Sequence, residues 1–177
     1  MKNKTIYVPL AVDILHSAHI NILKKAKKYG KVIVGLLTDS AIAEYKKFPL
    51  INYKERYNTL EGIKYIDQIV EQKNWDYTEN IKKYKPNFFI HGDDWKTGIQ
   101  KKQRRKVINI LKEIKGKLIE VPFNKNISST EIKHKIIAAS LFIFFSVIFY
   151  GRQFSIRGTN KNGCFCRRMF LVHGGGL

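Results

Sequence analysis

Apolar and polar positions alternate in blocks from the start of the chain to about residue 135. "TIYVPLAV" (5–12), "KVIVGLLT" (31–38), "YIDQIV" (65–70), "NFFIHG" (87–92) and "KLIEVPF" (117–123) are short runs rich in β-branched and aromatic residues. Such runs predict strands. Between them lie "SAHINILKKAKKYG", "YKERYNTLEGI", "DYTENIKKYK" and "QRRKVINILKEIKG". These are longer, Lys-rich and amphipathic, and predict helices. The first places Ile20, Leu23 and Ala26 on one face and ends at Gly30. Strands that alternate with helices predict an α/β fold. It would be a Rossmann-like parallel sheet of about five strands with helices on both faces. In such sheets ligands bind at the carboxyl ends of the strands.

The pattern breaks after Lys135. Residues 136–150, "IIAASLFIFFSVIFY", carry no charge, and residues 151–177 hold five basic residues and no acidic one. All 14 carboxylates lie before Lys135. Two segments are therefore expected: a domain over 1–135 and an apolar, then basic, tail over 136–177. The apolar run is short for a membrane span, which needs about 20 residues. Three readings of it stay open: a buried or dimer-interface helix, a marginal membrane anchor with a basic flank, or the end of a disrupted reading frame.

Length and charge narrow the function less than the pattern does. The chain has 177 residues, enough for one domain with a real core, and a formal charge of +19. That balance favours anionic partners. Aromatic residues are not interleaved with the basic ones, so a nucleic-acid stacking platform is not expected. Cys164 and Cys166, one residue apart, make neither a disulfide framework nor a zinc site. The amino terminus lacks the apolar core and cleavage site of a secretory leader, which makes the cytoplasm the expected location.

Four clusters carry candidate chemistry. Asp13, His16 and His19 stand where the first strand hands over to the first helix. Backbone N–H groups and the helix dipole make that junction an anion site. Two imidazoles there can stabilise charge that builds in phosphoryl or nucleotidyl transfer. "ISSTEIK" (127–133) offers Ser128, Ser129 and Thr130 at another helix start, with Ser128 and Glu131 spaced as a capping box. "HGDDW" (91–95) closes the fourth strand, where Gly92 permits close approach and Asp93 and Asp94 can accept hydrogen bonds. "YKKFPLINYKER" (45–56) sets Lys46 and Lys47 in a loop after the second strand.

These motifs, in this order, resemble the cytidylyltransferases of the HxGH nucleotidyltransferase superfamily, over about residues 5 to 135. The resemblance is nearest to the phosphonate-pathway and glycerol-3-phosphate enzymes. It implies a homodimer that joins CTP to a small phosphate or phosphonate with magnesium and releases pyrophosphate. His16, His19 and Lys46 would act on the α-phosphate. Leu10, Ala11, Asp13, Ala18 and Gly92 would contact the nucleotide, with Asp94 and Trp95 at its cytidine end. Ile127, Ser128, Ser129 and Thr130 would hold the β- and γ-phosphates. Lys47 and Arg56 are weaker candidates for the second substrate. The chain departs from the family at Ala18, where the motif has glycine, and at Phe123 and Asn126 before "ISST". Adenylyl transfer from ATP, and a catalytically impaired nucleotide-binding chain, are the alternatives.

Overall fold

A computed structural model of the chain describes residues 4–122 and 127–156, with side chains to residue 148. Phe123, Asn126, Cys164, Cys166 and the basic segment from 157 lie outside the described residues. Five strands, β1 (Thr5–Leu10), β2 (Lys31–Leu37), β3 (Gln68–Gln72), β4 (Phe88–Gly92) and β5 (Lys117–Val121), form one sheet. Its order is β3-β2-β1-β4-β5, and every pairing is parallel. The helices are α1 (Ser17–Lys27), α2 (Asp39–Ala43), α3 (Tyr53–Glu61), α4 (Thr78–Tyr84), α5 (Gln100–Glu113) and α6 (Ser129–Ile156). A 3-10 turn covers Asp93–Lys96.

Strand periodicity divides the core between the two faces of the sheet. Tyr7, Ile33 and Phe89 pack with Ile81 of α4 and with Val107, Ile110 and Leu111 of α5. Ile6, Val8, Val34 and Ile90 pack with Leu23 and Ala26 of α1 and Leu60 of α3. This is the predicted α/β architecture. β1 and β2 are apolar on both sides because helices cover both faces.

β3 begins three residues later than the apolar run and continues through polar residues. Asp67 accepts from Val32 N–H at 2.8 Å and pairs with Lys27 at 2.6 Å, so the ladder starts after it. Gln72 is buried because its amide oxygen accepts from Tyr7 Oη at 2.6 Å. Gly30 ends the α1 connection at φ 148°, and a Cβ there would lie 2.2 Å from the Lys4 carbonyl oxygen, so only glycine fits.

The sheet order reverses between β1 and β4. That switch point opens a crevice above their carboxyl ends, which positions the site described below.

The chain divides into two units, Met1–His134 and Lys135–Leu177. In the second, the apolar run lies within α6 rather than in a core. Phe142 is 75% exposed and Phe145 66% exposed in the single chain. Among the described residues no helix is long and apolar enough to cross a membrane.

Candidate functional site

A cavity of about 310 Å³ occupies the switch point, entirely within the first unit. Its floor is the end of β1, with Leu10 and Ala11, and the end of β4, with His91 and Gly92. The start of α1 supplies His16, Ala18 and His19 from one side. The start of α6 supplies Ser128, Ser129 and Thr130, and Lys46 and Asp94 also line the cavity.

The histidine pair forms the amino terminus of α1. His16 is its extended N-cap residue. The two rings lie 4.0 Å apart, and His16 N–H donates to His19 Nδ1 at 3.4 Å. An N–H donor needs a lone pair, so the neutral His19 ring carries its proton on Nε2. Burial, His16 and Lys46 together hold the His19 pKa down at about 3. Burial lowers that of His16 too, and its buried Nδ1 has no partner among the described residues. Two neutral imidazoles at a helix start can donate to an anion without first being charged.

The α6 start is built as its sequence suggests. Ser128 Oγ accepts from Glu131 N–H at 3.0 Å, which is the N-cap bond. Ser129 Oγ donates to the Ile14 carbonyl at 3.0 Å and so ties α6 to the loop before α1. Two helix amino termini and their hydroxyls thus face one cavity. Ile127 is not part of the wall.

Asp13 is 7% exposed and lies behind the cavity rather than in it. Its carboxylate accepts from Leu50 N–H at 2.7 Å and Ile51 N–H at 3.1 Å, and pairs with Lys133. Burial opposes its charge, but these bonds prevail and its pKa is lowered. Asp13 therefore fastens the Lys46 loop to the start of α6. Burial, reinforced by Lys133, lowers the Lys46 pKa against the pull of Asp94 and Asp13, although the side chain as a whole is exposed.

Besides Asp13 and Ile127, three more sequence expectations are corrected. Arg56 is not a substrate contact: its guanidinium is fully buried. It donates to the carbonyls of Ala11 (2.5 Å), Leu37 (2.8 Å) and Ile51 (3.0 Å) and pairs with Asp39 at 2.7 Å. It clamps the ends of β1 and β2 to the Lys46 loop. Lys47 is exposed and is not part of the cavity wall. Trp95 is fully buried, so its face is not open to a base. Instead its Nε1–H donates to Glu120 at 2.7 Å, and its ring backs His91 at 3.9 Å. His91 itself was not singled out by the sequence reading, although the "HGDDW" motif contains it. Tyr45 and Tyr77, which also line the cavity, had no sequence signal.

Residues 12–135 match the family model described as cytidylyltransferase-like. Glycerol-3-phosphate cytidylyltransferase of Bacillus subtilis (strain 168) is 30% identical over 126 residues, covering 70% of this chain and 90% of that protein. Ethanolamine-phosphate cytidylyltransferase of Dictyostelium discoideum is 30% identical over 131 residues, covering 72% of this chain but 35% of that protein. The lipopolysaccharide core biosynthesis protein from Thermoplasma volcanium GSS1 shares the fold, with a TM-score of 0.59 at 24% identity over 68% of this chain and 98% of that one.

Proposed function

Because the chain belongs to the cytidylyltransferase-like family of nucleotidyl-transfer enzymes, we infer that it transfers CMP from CTP to a small phosphate-bearing alcohol and releases pyrophosphate. The observation that carries this reading is the convergence of the His16–His19 pair, Lys46 and the Ser128–Thr130 helix start on one cavity. An acceptor phosphate oxygen attacks the α-phosphorus. The bond from that phosphorus to the bridging oxygen breaks, and its electrons leave with pyrophosphate. His16, His19 and Lys46 stabilise the charge on the α-phosphoryl oxygens as this happens. The α6 start holds the phosphates that depart. No covalent enzyme intermediate is needed, so catalysis is positioning plus electrostatics.

The acceptor belongs to the same proposal. Glycerol 3-phosphate and ethanolamine phosphate are the substrates in the relatives' names, and 2-hydroxyethylphosphonate and 2-aminoethylphosphonate extend the class. Magnesium is proposed as a companion of the nucleotide. Among the described residues no cluster of three His, Cys, Asp or Glu side chains could hold a metal ion. The Asp94 carboxylate and the hydroxyls of Ser128, Ser129 and Thr130 would offer oxygen to an ion carried by the triphosphate. When bound, it would neutralise phosphate charge. A homodimer is proposed on the family resemblance, and light scattering on the full chain checks it.

The test is pyrophosphate release from CTP and magnesium with each of the four acceptors. Release with at least one supports the reading, and release with none sinks it. His16→Ala should cut turnover about a hundredfold, as loss of a preorganised charge stabiliser does. A drop under about threefold would remove His16 from the mechanism.

A further inference from the structure

His91 stands at the carboxyl end of β4, in the cavity wall, and its ring is held by its neighbours. It lies flat on Trp95, with centroids 3.9 Å apart and planes at 9°. Trp95 lies in turn on Phe89 at 5.8 Å and 5°. Glu120 anchors the stack by accepting from Trp95 Nε1 at 2.7 Å, and Arg104 fixes Glu120 at 2.8 Å. The imidazole therefore has one orientation.

Its tautomer follows from its neighbour. His91 Nδ1 is 2.9 Å from the Gly92 carbonyl oxygen. A carbonyl only accepts, so Nδ1 carries the hydrogen. Burial lowers the His91 pKa, Lys46 acts in the same direction, and the opposing Gly92 bond, Asp94 and Glu120 do not reverse it. In the neutral ring, Nε2 then holds a lone pair. It has no hydrogen-bond partner among the described residues. The cavity thus contains a fixed, uncharged acceptor.

A lone pair repels phosphate oxygens, which also present lone pairs. The phosphate end of the cavity is marked instead by the two helix amino termini, with their N–H and O–H donors. An acceptor such as His91 Nε2 suits instead a part of the nucleotide that presents donors, which is the base. Cytosine offers an exocyclic amino donor there, and uracil offers a carbonyl acceptor. We propose that His91 Nε2 reads the base by accepting from that amino group, so that CTP is admitted and UTP is refused. Trp95 and Glu120 are positioning residues for His91. The inference rests on the reading that the cavity takes a cytidine nucleotide.

Calorimetric titration of the full chain with CTP and with UTP tests it. The unmodified protein should prefer CTP by about a hundredfold, the scale set by leaving a buried acceptor opposed to an acceptor. His91→Phe keeps the stack on Trp95 and removes the acceptor, and should narrow that preference to about fivefold or less. His91→Gln, whose amide can present oxygen or nitrogen, should accept both nucleotides within a few-fold, and it serves if the Phe variant does not fold. Circular dichroism verifies folding of each. Preference unchanged in the folded variants overturns the inference. So does preference that collapses in Asp94→Asn alone, or a His91 effect confined to amine-bearing acceptors. CTP binding without preference over UTP overturns the inference but leaves the cytidine reading intact. Absence of CTP binding overturns that reading and the inference with it.

Discussion

The His19 imidazole should make the fold acid-sensitive well above the range in which carboxylates titrate. Burial first, then His16 and Lys46, set its folded pKa at about 3, against an ordinary 6.5. The unfolded chain therefore binds a proton at His19 that the folded chain refuses, in the window between those values. A depressed histidine contributes its full share above pH 6.5 and loses it as pH falls. Each unit of pH inside the window removes about 1.4 kcal/mol, so about 2 kcal/mol is lost by pH 5 and about 4 kcal/mol by pH 3. His16 and His91 are lowered too and act in the same direction, so the total loss exceeds that of His19 alone. Asp13, Asp76 and Glu120, all lowered, lose theirs only below the ordinary carboxylate range and do not contribute between pH 7 and 5. The comparison that isolates His19 is with His19→Gln, which removes the titration. Urea unfolding at pH 7, 6 and 5 should show the unmodified protein losing about 2 kcal/mol more than the variant, a difference of about 1 M in midpoint. Parallel curves, within about 0.5 kcal/mol across that range, would refute the argument.

Three further outcomes follow from the same contacts. Arg56→Met should cost about 3–5 kcal/mol in urea unfolding, because it leaves Asp39 without its ion partner and the Leu37 carbonyl without the guanidinium donor. Arg56→Lys should recover little of this, since one ammonium cannot span acceptors on both strands and the loop. Gly35→Ala should destabilise by about 2 kcal/mol or more on thermal melting, as a Cβ there would fall 1.9 Å from Tyr7 Oη within the Tyr7–Gln72–Asn80 network. Glu120→Gln should leave the protein less stable above about pH 5 than the unmodified chain, because Arg104 first, and then Trp95 and Lys96, hold the Glu120 pKa down at about 2. That stability is present above the unfolded pKa and lost as pH falls towards 2, so the two melting curves should converge on acidification.

What the sequence revealed and what it concealed divide along contact range. β1, β2 and β4 were legible because burial on both faces writes an unbroken apolar run. The helix starts at His16 and Ser128 were legible because capping is local, with donor and acceptor three residues apart. β3 was misplaced because Gln72, polar by composition, is buried only through Tyr7, 65 residues away. Trp95 read as a nucleotide contact because nothing near it in the chain shows that Glu120, 25 residues on, fixes its indole inward. Arg56 read as a second-substrate contact for the same reason, since its acceptors come from the ends of two strands and a loop.

That division also separates the residues that touch a ligand from those that place them. His16, His19 and Ser128–Thr130, which line the cavity, come from short motifs at helix starts, whereas Tyr45, Tyr77 and His91 carried no such signal. Asp13, Arg56, Trp95 and Glu120 stand behind the wall, and their partners belong to other elements. Asp13 joins the Lys46 loop to α6, and Arg56 joins that loop to β1 and β2. The position of Lys46 is therefore set by two side chains that do not line the cavity. A substitution at either would reach turnover through the loop, and its effect on kcat should track the loop's order rather than the charge in the cavity.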